Sequence, residues 1–250
     1  MFECRAGKIS PTTANPYYYK WHEYSVFGYF LQSYTTSTLF SQTFNEYTLI
    51  MKEYSSWALW IFNATYLFWG TAYFLQDLNF EFVIYVGVIV LLLAGVLLTT
   101  SQTEFPQWML WLFSLWGLLH VLGGAVKTST GVLFGQHIYT FINRGGDFYV
   151  LKYDQIVHFY LYGLIGVMAY HLLRRILAVK DNAKLTILFA IMASLGISAL
   201  NEIMEFLISV VIAQNGVGGY ENSMLDLIFN LFGASVAVTT YHFCCMRTKR

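Results

Sequence analysis

"FVIYVGVIVLLLAGVLLTT", residues 82–100, runs for nineteen positions without one charged side chain. The hydrocarbon core of a bilayer is about 30 Å thick, and a helix crosses it in roughly 20 residues. The polar–apolar alternation of a barrel strand is missing from the run. Only helices and closed barrels satisfy their backbone groups in lipid, so the stretch predicts a membrane-spanning helix.

Composition extends that reading to the whole chain. Of 250 residues, 57% are hydrophobic and 11% charged, and mean hydropathy is +0.52. Soluble domains carry about 25% charged residues, so a water-facing surface is not available to this sequence. Basic and acidic residues number 14 each, which leaves no basic field for nucleic acid. Similar apolar runs cover 54–76, 106–127, 154–173, 185–212 and 221–246. Pro106 opens one of them at a position suited to a first helical turn. The expected fold is all-α: a polytopic transmembrane bundle of six spans.

Two regions are expected, an N-terminal segment over 1–53 and a six-helix transmembrane domain over 54–250. Residues 25–51 are aromatic but diluted by Gln32, Ser33, Ser41, Gln42, Asn45 and Glu46. An interfacial helix suits them better than a seventh span. Met1 is not followed by the basic start and compact apolar core of a signal peptide. With six spans, eleven of the Lys and Arg residues fall on the side of both termini and the 174–184 loop; only Lys127, Arg144 and Lys152 fall opposite. That asymmetry predicts both termini in the cytoplasm. Cys4, Cys244 and Cys245 then lie near the cytoplasmic side, which implies no disulfide framework.

The polar residues inside the spans collect at the opposite, outer end. His120 ends the third span, Asp154 and His158 open the fourth, Glu202 and Glu205 close the fifth, and Asp226 and Asn230 open the sixth. Spacings of three or four residues put each pair on one helix face, and Tyr162 continues the face of Asp154 and His158. A charge near the middle of a spanning helix costs roughly 2.5–3.5 kcal/mol on insertion scales. Six ionisable groups at one depth therefore imply partners, water or a cation. Taken singly, each is more often a helix–helix hydrogen bond, and Asp154 could simply match a helix dipole.

The same residues carry a family likeness. "YDQIVHFYLYG" (153–163), "NEIMEF" (201–206), "ENSMLDLIFNLFGA" (221–234) and "LLHVLGGAV" (118–126) resemble, in order and spacing, the signature segments of VanZ-like and YjdF-like bacterial inner-membrane proteins. The likeness covers roughly 106–240. Gln155 stands where the YjdF-like pattern usually has Arg, and Phe206 where it has Trp. The resemblance implies an inner-membrane location, a cell-envelope setting and no particular reaction.

Two functions of different class follow. In the first, His120, Asp154, His158, Glu202 and Asp226 supply ligands for Zn²⁺, Mn²⁺ or Fe²⁺, since imidazole beside carboxylates suits these ions better than Ca²⁺. Glu205, with His158, then carries acid–base chemistry on a lipid or lipid-linked substrate. Arg144, Tyr162 and Asn230 would contact that substrate, and the 128–153 loop, with a Gly145-Gly146 hinge, would cover the pocket. In the second, the same groups form the proton or cation site of a small transporter. A buried polar network of purely structural role is the third alternative. No zincin spacing, nucleophile elbow, P-loop or C-x-x-C is present.

Overall fold

The computed structural model describes residues 57–129, 131–144, 148–177, 182–212 and 219–247. The expected interfacial segment over 1–53 and the Gly145-Gly146 hinge lie outside these residues. Helix α1 covers 57–76. It is followed by α2 (Phe80–Leu98), the single turn α3 (Thr100–Thr103) and α4 (Gln107–Ala125). Two short hairpins come next, β1 (Lys127–Thr128) with β2 (Gly131–Val132), and β3 (His137–Asn143) with β4 (Tyr149–Lys152). The chain ends in α5 (Tyr153–Arg175), α6 (Ala183–Val211) and α7 (Tyr220–Arg247).

Among the described residues, five helices, α2, α4, α5, α6 and α7, are long and apolar enough to cross a membrane. They match the expected spans to within about two residues at most ends. Helix α1 occupies the place of the first expected span without joining that group. It carries Trp57, Trp60, Tyr66, Trp69 and Tyr73, which hydropathy indices rank low, and Asn63 interrupts it. Asn63 is buried, and its amide donates to Ser114 Oγ on α4 at 2.8 Å while its carbonyl accepts from Tyr66 at 2.9 Å. Both partners are needed, because an unpaired amide in such surroundings costs several kcal/mol.

Helix α5 is the centre of the bundle; it packs most extensively on α7, then on α6 and α4. Small residues make the α5–α7 approach possible. A Cβ on Gly163 would stand 3.1 Å from the Gly233 carbonyl oxygen and 3.2 Å from Ala237 Cβ. A Cβ on Gly166 would stand 2.8 Å from Val238. Within lipid the apolar tails compete with any apolar contact, so close backbone packing supplies the association. On α6 the buried residues Thr186, Ala190, Ser194, Ser198 and Glu202 recur every four positions and face α5 and α7. The Ser194 hydroxyl donates to the Tyr162 carbonyl at 2.7 Å, and Ser198 Oγ accepts from Asn230 at 2.6 Å.

Pairs of charged residues mark the two ends. At one end Lys127 meets Asp77 at 2.6 Å, so the α1–α2 turn lies beside the end of α4. At the other end Arg175 pairs with Glu104, so the α3–α4 turn lies beside the end of α5. The hairpins sit at the Lys127 end. They add local strand structure to the all-α bundle in the 128–153 stretch, which on sequence alone reads as a loop. Strands β3 and β4 are antiparallel with a register shift between His137 and Ile142, and the His137 ring stacks on Tyr149 at 3.9 Å. Gln155, fully buried, fastens the hairpin to α5: its Oε1 accepts from the Lys152 N–H at 3.0 Å and its Nε2 donates to the Tyr149 carbonyl at 2.8 Å.

Candidate functional site

Asp154 lies in the first turn of α5 and His158 one turn later. Asn222, Asp226 and Asn230 lie one turn apart at the start of α7, and Glu202 and Glu205 lie in the last third of α6. Because α5 and α7 start where α6 ends, all seven residues share the Lys127 end of the bundle. The close α5–α7 contact then brings two of the three faces together, and the small-residue face of α6 adds the third.

His158 is the hub. Its Nδ1 stands 3.1 Å from Asn230 Oδ1 and 3.8 Å from Glu202 Oε1. Its Nε2 stands 3.6 Å from Asp154 Oδ1 and 4.0 Å from Glu205 Oε1. Two sets of three possible ligands result, Asp154–His158–Asp226 and His158–Glu202–Glu205, each with its donor atoms within 4.8 Å of one another. Burial grades across the cluster: Asp226 and Asn230 are 0% exposed, whereas the Asp154 side chain retains 21%. The open side is therefore at Asp154.

Amides hold the carboxylates in place. Asn201 Nδ2 donates to Glu205 Oε1 at 2.7 Å, and Asn222 Nδ2 donates to Asp226 Oδ2 at 2.7 Å. Asn222 Oδ1 in turn accepts from Lys152 Nζ at 2.8 Å, so the cationic end of β4 reaches Asp226 at one remove. Three buried acceptors remain outside hydrogen-bond geometry: Oε1 and Oε2 of Glu202, and Oδ1 of Asp226. The Ser223 hydroxyl on α7 lies within long hydrogen-bonding reach of Glu202. Buried polar atoms in folded proteins are nearly always partnered, so these carboxylate oxygens around one imidazole call for a proton, a water or a cation.

The residues expected from sequence divide as follows. Asp154, His158, Glu202, Glu205 and Asp226 come together. Asn230 joins them as the orienting partner of His158 rather than at the open side. Tyr162 is buried with its ring 5.8 Å from the His158 ring. His120 stands outside both ligand sets. Its ring is held by Phe134 at 4.9 Å, Tyr85 at 5.6 Å and Trp116 at 5.8 Å, and its Nε2 is buried without a hydrogen bond. It remains within electrostatic reach of His158. Arg144 lies exposed in the β3–β4 connection with its guanidinium 5.5 Å from the Phe148 ring.

Several supporting residues escaped the sequence reading. Asn222 and Asn201 follow the same four-residue rule as the acids they hold, so spacing could have found them. Spacing does not reveal Lys152 and Gln155, because their roles depend on the β3–β4 hairpin. Glu81, buried at the start of α2, and Tyr85 one turn on extend the polar region, Tyr85 lying within electrostatic reach of Glu205, Asp154 and Glu202.

Chemically, the cluster offers oxygen donors in excess and one nitrogen donor. It can take up a divalent cation or protons, and its open side can admit water or a polar group. No curated protein and no solved structure matches the chain. A family model described as "Predicted membrane protein (DUF2238)" matches residues 55–247, which takes in every helix of the bundle and the whole acidic cluster. The chain therefore belongs to this family of predicted membrane proteins.

Proposed function

We propose that the protein is a membrane-embedded metal site, acting as a metal-dependent enzyme or binding protein for a lipid or lipid-linked envelope molecule. One observation carries the reading: the bare, buried oxygens of Glu202 and Asp226 face His158 from two different helices. The residues fit a divalent transition ion. His158 supplies nitrogen, and Asp154, Asp226 and Glu202 supply oxygen. A mixed nitrogen–oxygen donor set suits Zn²⁺, Mn²⁺ or Fe²⁺. When bound, such an ion supplies Lewis acidity.

The chain's own groups have separable tasks in this reading. Asn230 fixes the His158 ring, and Asn222 fixes Asp226. Glu205, more open than Glu202 and held through one oxygen by Asn201, is the group placed to accept a proton from water entering at Asp154. Tyr162 walls the cluster, and Arg144 is the cation available to an anionic head group. The greater number of Lys and Arg at the Glu104–Arg175 end supports an inner-membrane arrangement with the cluster facing outward and both termini in the cytoplasm.

A second reading, a proton- or cation-coupled carrier, draws on the buried hydroxyls of Thr186, Ser194 and Ser198 in line with Glu202. Ala190 breaks that line, and both serines are engaged with the neighbouring helices. The VanZ-like and YjdF-like resemblance is compatible with either.

Elemental analysis of the purified wild type decides first. Transition metal should be retained near one equivalent or more, and lost in His158→Ala. Glu205→Gln should keep the metal while abolishing turnover of lipid-linked substrates. A metal-free wild type whose Glu202→Gln and Glu205→Gln variants lose pH-driven flux would establish the carrier instead.

A further inference from the structure

Strand β3 reads HIYTFIN, and Ile138, Tyr139, Phe141 and Ile142 are 50%, 62%, 66% and 52% exposed. Successive residues of a strand point to opposite faces, so apolar groups stand open on both sides of the hairpin. A two-stranded hairpin is marginal in water by itself, and a contiguous bare apolar surface marks something that covers it.

The position of the hairpin identifies the cover. β1 begins two residues after the spanning helix α4 ends, and α5 begins directly after β4. The Tyr153 N–H donates to the Gln136 carbonyl at 3.0 Å, which closes the hairpin's base onto the first turn of α5. Leu122 and Val126 at the end of α4, and Ile156 at the start of α5, are exposed apolar residues as well. Exposed apolar residues thus stand at the ends of both spans that flank the hairpin as well as on the hairpin itself. Between His137 and Lys152 the sequence holds two cations, Arg144 and Lys152, and one acid, Asp147. Aromatic and aliphatic side chains beside Arg and Lys are what the boundary of head groups and acyl chains receives.

We propose that the β3–β4 hairpin lies on the bilayer surface, with Ile138, Tyr139, Phe141 and Ile142 taken up by lipid at the leaflet to which the acidic cluster opens. It cannot go deeper. The outer edges of a two-stranded ribbon leave backbone groups unpaired, and these require head groups or water. The inference does not depend on the metal reading. It does bear on access, because Lys152 and Gln155 tie the hairpin to Asp226 and to the start of α5.

The test uses the full chain with its three cysteines replaced by serine, reconstituted in phosphatidylglycerol–phosphatidylethanolamine nanodiscs. Nitroxide labels are placed singly at Tyr139→Cys, Phe141→Cys and, as an exposed control on the α3 turn, Gln102→Cys. Power saturation should give an oxygen-to-nickel-chelate accessibility ratio several-fold higher at 139 and 141 than at 102. Chelate access at 139 and 141 equal to that at 102 would leave the hairpin in water and overturn the proposal. Labels screened from both reagents, or broadened by a neighbouring label, would assign the face to protein, from this chain or a second copy, and overturn it equally. Metal content, measured on the same samples, reports separately on the acidic cluster.

Discussion

Gly233→Ala isolates the α5–α7 contact on which the cluster depends. An ideal Cβ at this position would stand 2.9 Å from the Phe159 carbonyl carbon, 3.0 Å from its Cα and closer still to its carbonyl oxygen. All three are backbone atoms, so no side chain can turn aside and the helices must part. Overpacking of this kind costs about 1–3 kcal/mol. The same substitution gains helix propensity worth about 1 kcal/mol, which would mask part of the loss. Gly196→Ala supplies the correction: it lies within α6, its Cβ would meet nothing within 4 Å, and it carries the same propensity gain. The difference between the two variants should therefore be the packing term alone, about 1–3 kcal/mol in favour of Gly196→Ala. Reversible unfolding in mixed micelles, followed by tryptophan fluorescence, measures it. Parting the helices also stretches the 3.1 Å His158–Asn230 contact, so Gly233→Ala should weaken metal uptake and Gly196→Ala should not. Equal stabilities with unchanged uptake would refute both the packing argument and its link to the cluster.

Other outcomes are expected from the same geometry. Glu202→Gln and Asp226→Asn should each reduce bound transition metal while stabilising the metal-free protein by an amount on the order of 1 kcal/mol, since a neutral amide is cheaper to bury than an unpaired carboxylate; metal analysis and micelle unfolding on the same samples check both halves. Lys152→Met removes a charge-assisted bond to Asn222 and should cost about 1.5–3 kcal/mol in unfolding assays, with a parallel fall in metal affinity as Asp226 loses its orientation. The Lys127 ammonium holds the Asp77 carboxyl below its ordinary value of 3.8, and Asp77 raises Lys127. A lowered carboxyl stabilises above its unfolded pKa and loses that effect as pH falls through the folded one, so wild type and Asp77→Asn should differ slightly at neutral pH and converge in acid below pH 3.8.

The spans were legible because their signal is length and the absence of charge, both of which survive any arrangement of neighbours. Helix α1 tests the limit of that signal: Trp57, Trp60, Tyr66 and Trp69 make it apolar in fact but weak on a hydropathy scale. Five of the six ionisable site residues were legible because each pair repeats at helical spacing and all pairs lie at the same end once the turns are counted. His120 satisfied the depth rule but not the azimuth. Its helix, α4, meets α5 through the Tyr153 and Tyr160 hydroxyls, which donate to the carbonyls of Leu119 and Leu112 at 2.9 and 2.8 Å. That contact leaves His120 turned into the aromatic group around Phe134. Sequence spacing fixes which residues share a face; it does not fix where the face points. The hairpins illustrate a different loss. HIYTFIN is β-branched and aromatic, but a two-stranded pairing seven and four residues long carries little signal beside helices of nineteen or more.

How the acids are held separates the readings more sharply than their number. Four carboxylates in low dielectric could be stabilised most simply by Lys or Arg in direct contact, since opposite charge at close range offsets much of the desolvation cost. The fold takes another course. Asn201 holds Glu205, Asn222 holds Asp226, and Asn230 holds His158, and an amide orients its partner without cancelling its charge. The nearby cation, Lys152, spends its hydrogen bond on Asn222 and so touches Asp226 only through that amide. A network selected for stability alone would gain by exchanging these amides for charges of opposite sign. On the proposed reading, carboxylates that are aligned by amides and met by no charge except that of a protonated His158 keep a place for a further positive group. A cation meets that requirement from the open Asp154 side, where carboxylate exposure is greatest. Protons meet it in part: a protonated carboxyl donates to a neighbouring carboxylate, but one shared proton serves one pair at a time and leaves the other carboxylates of the group together.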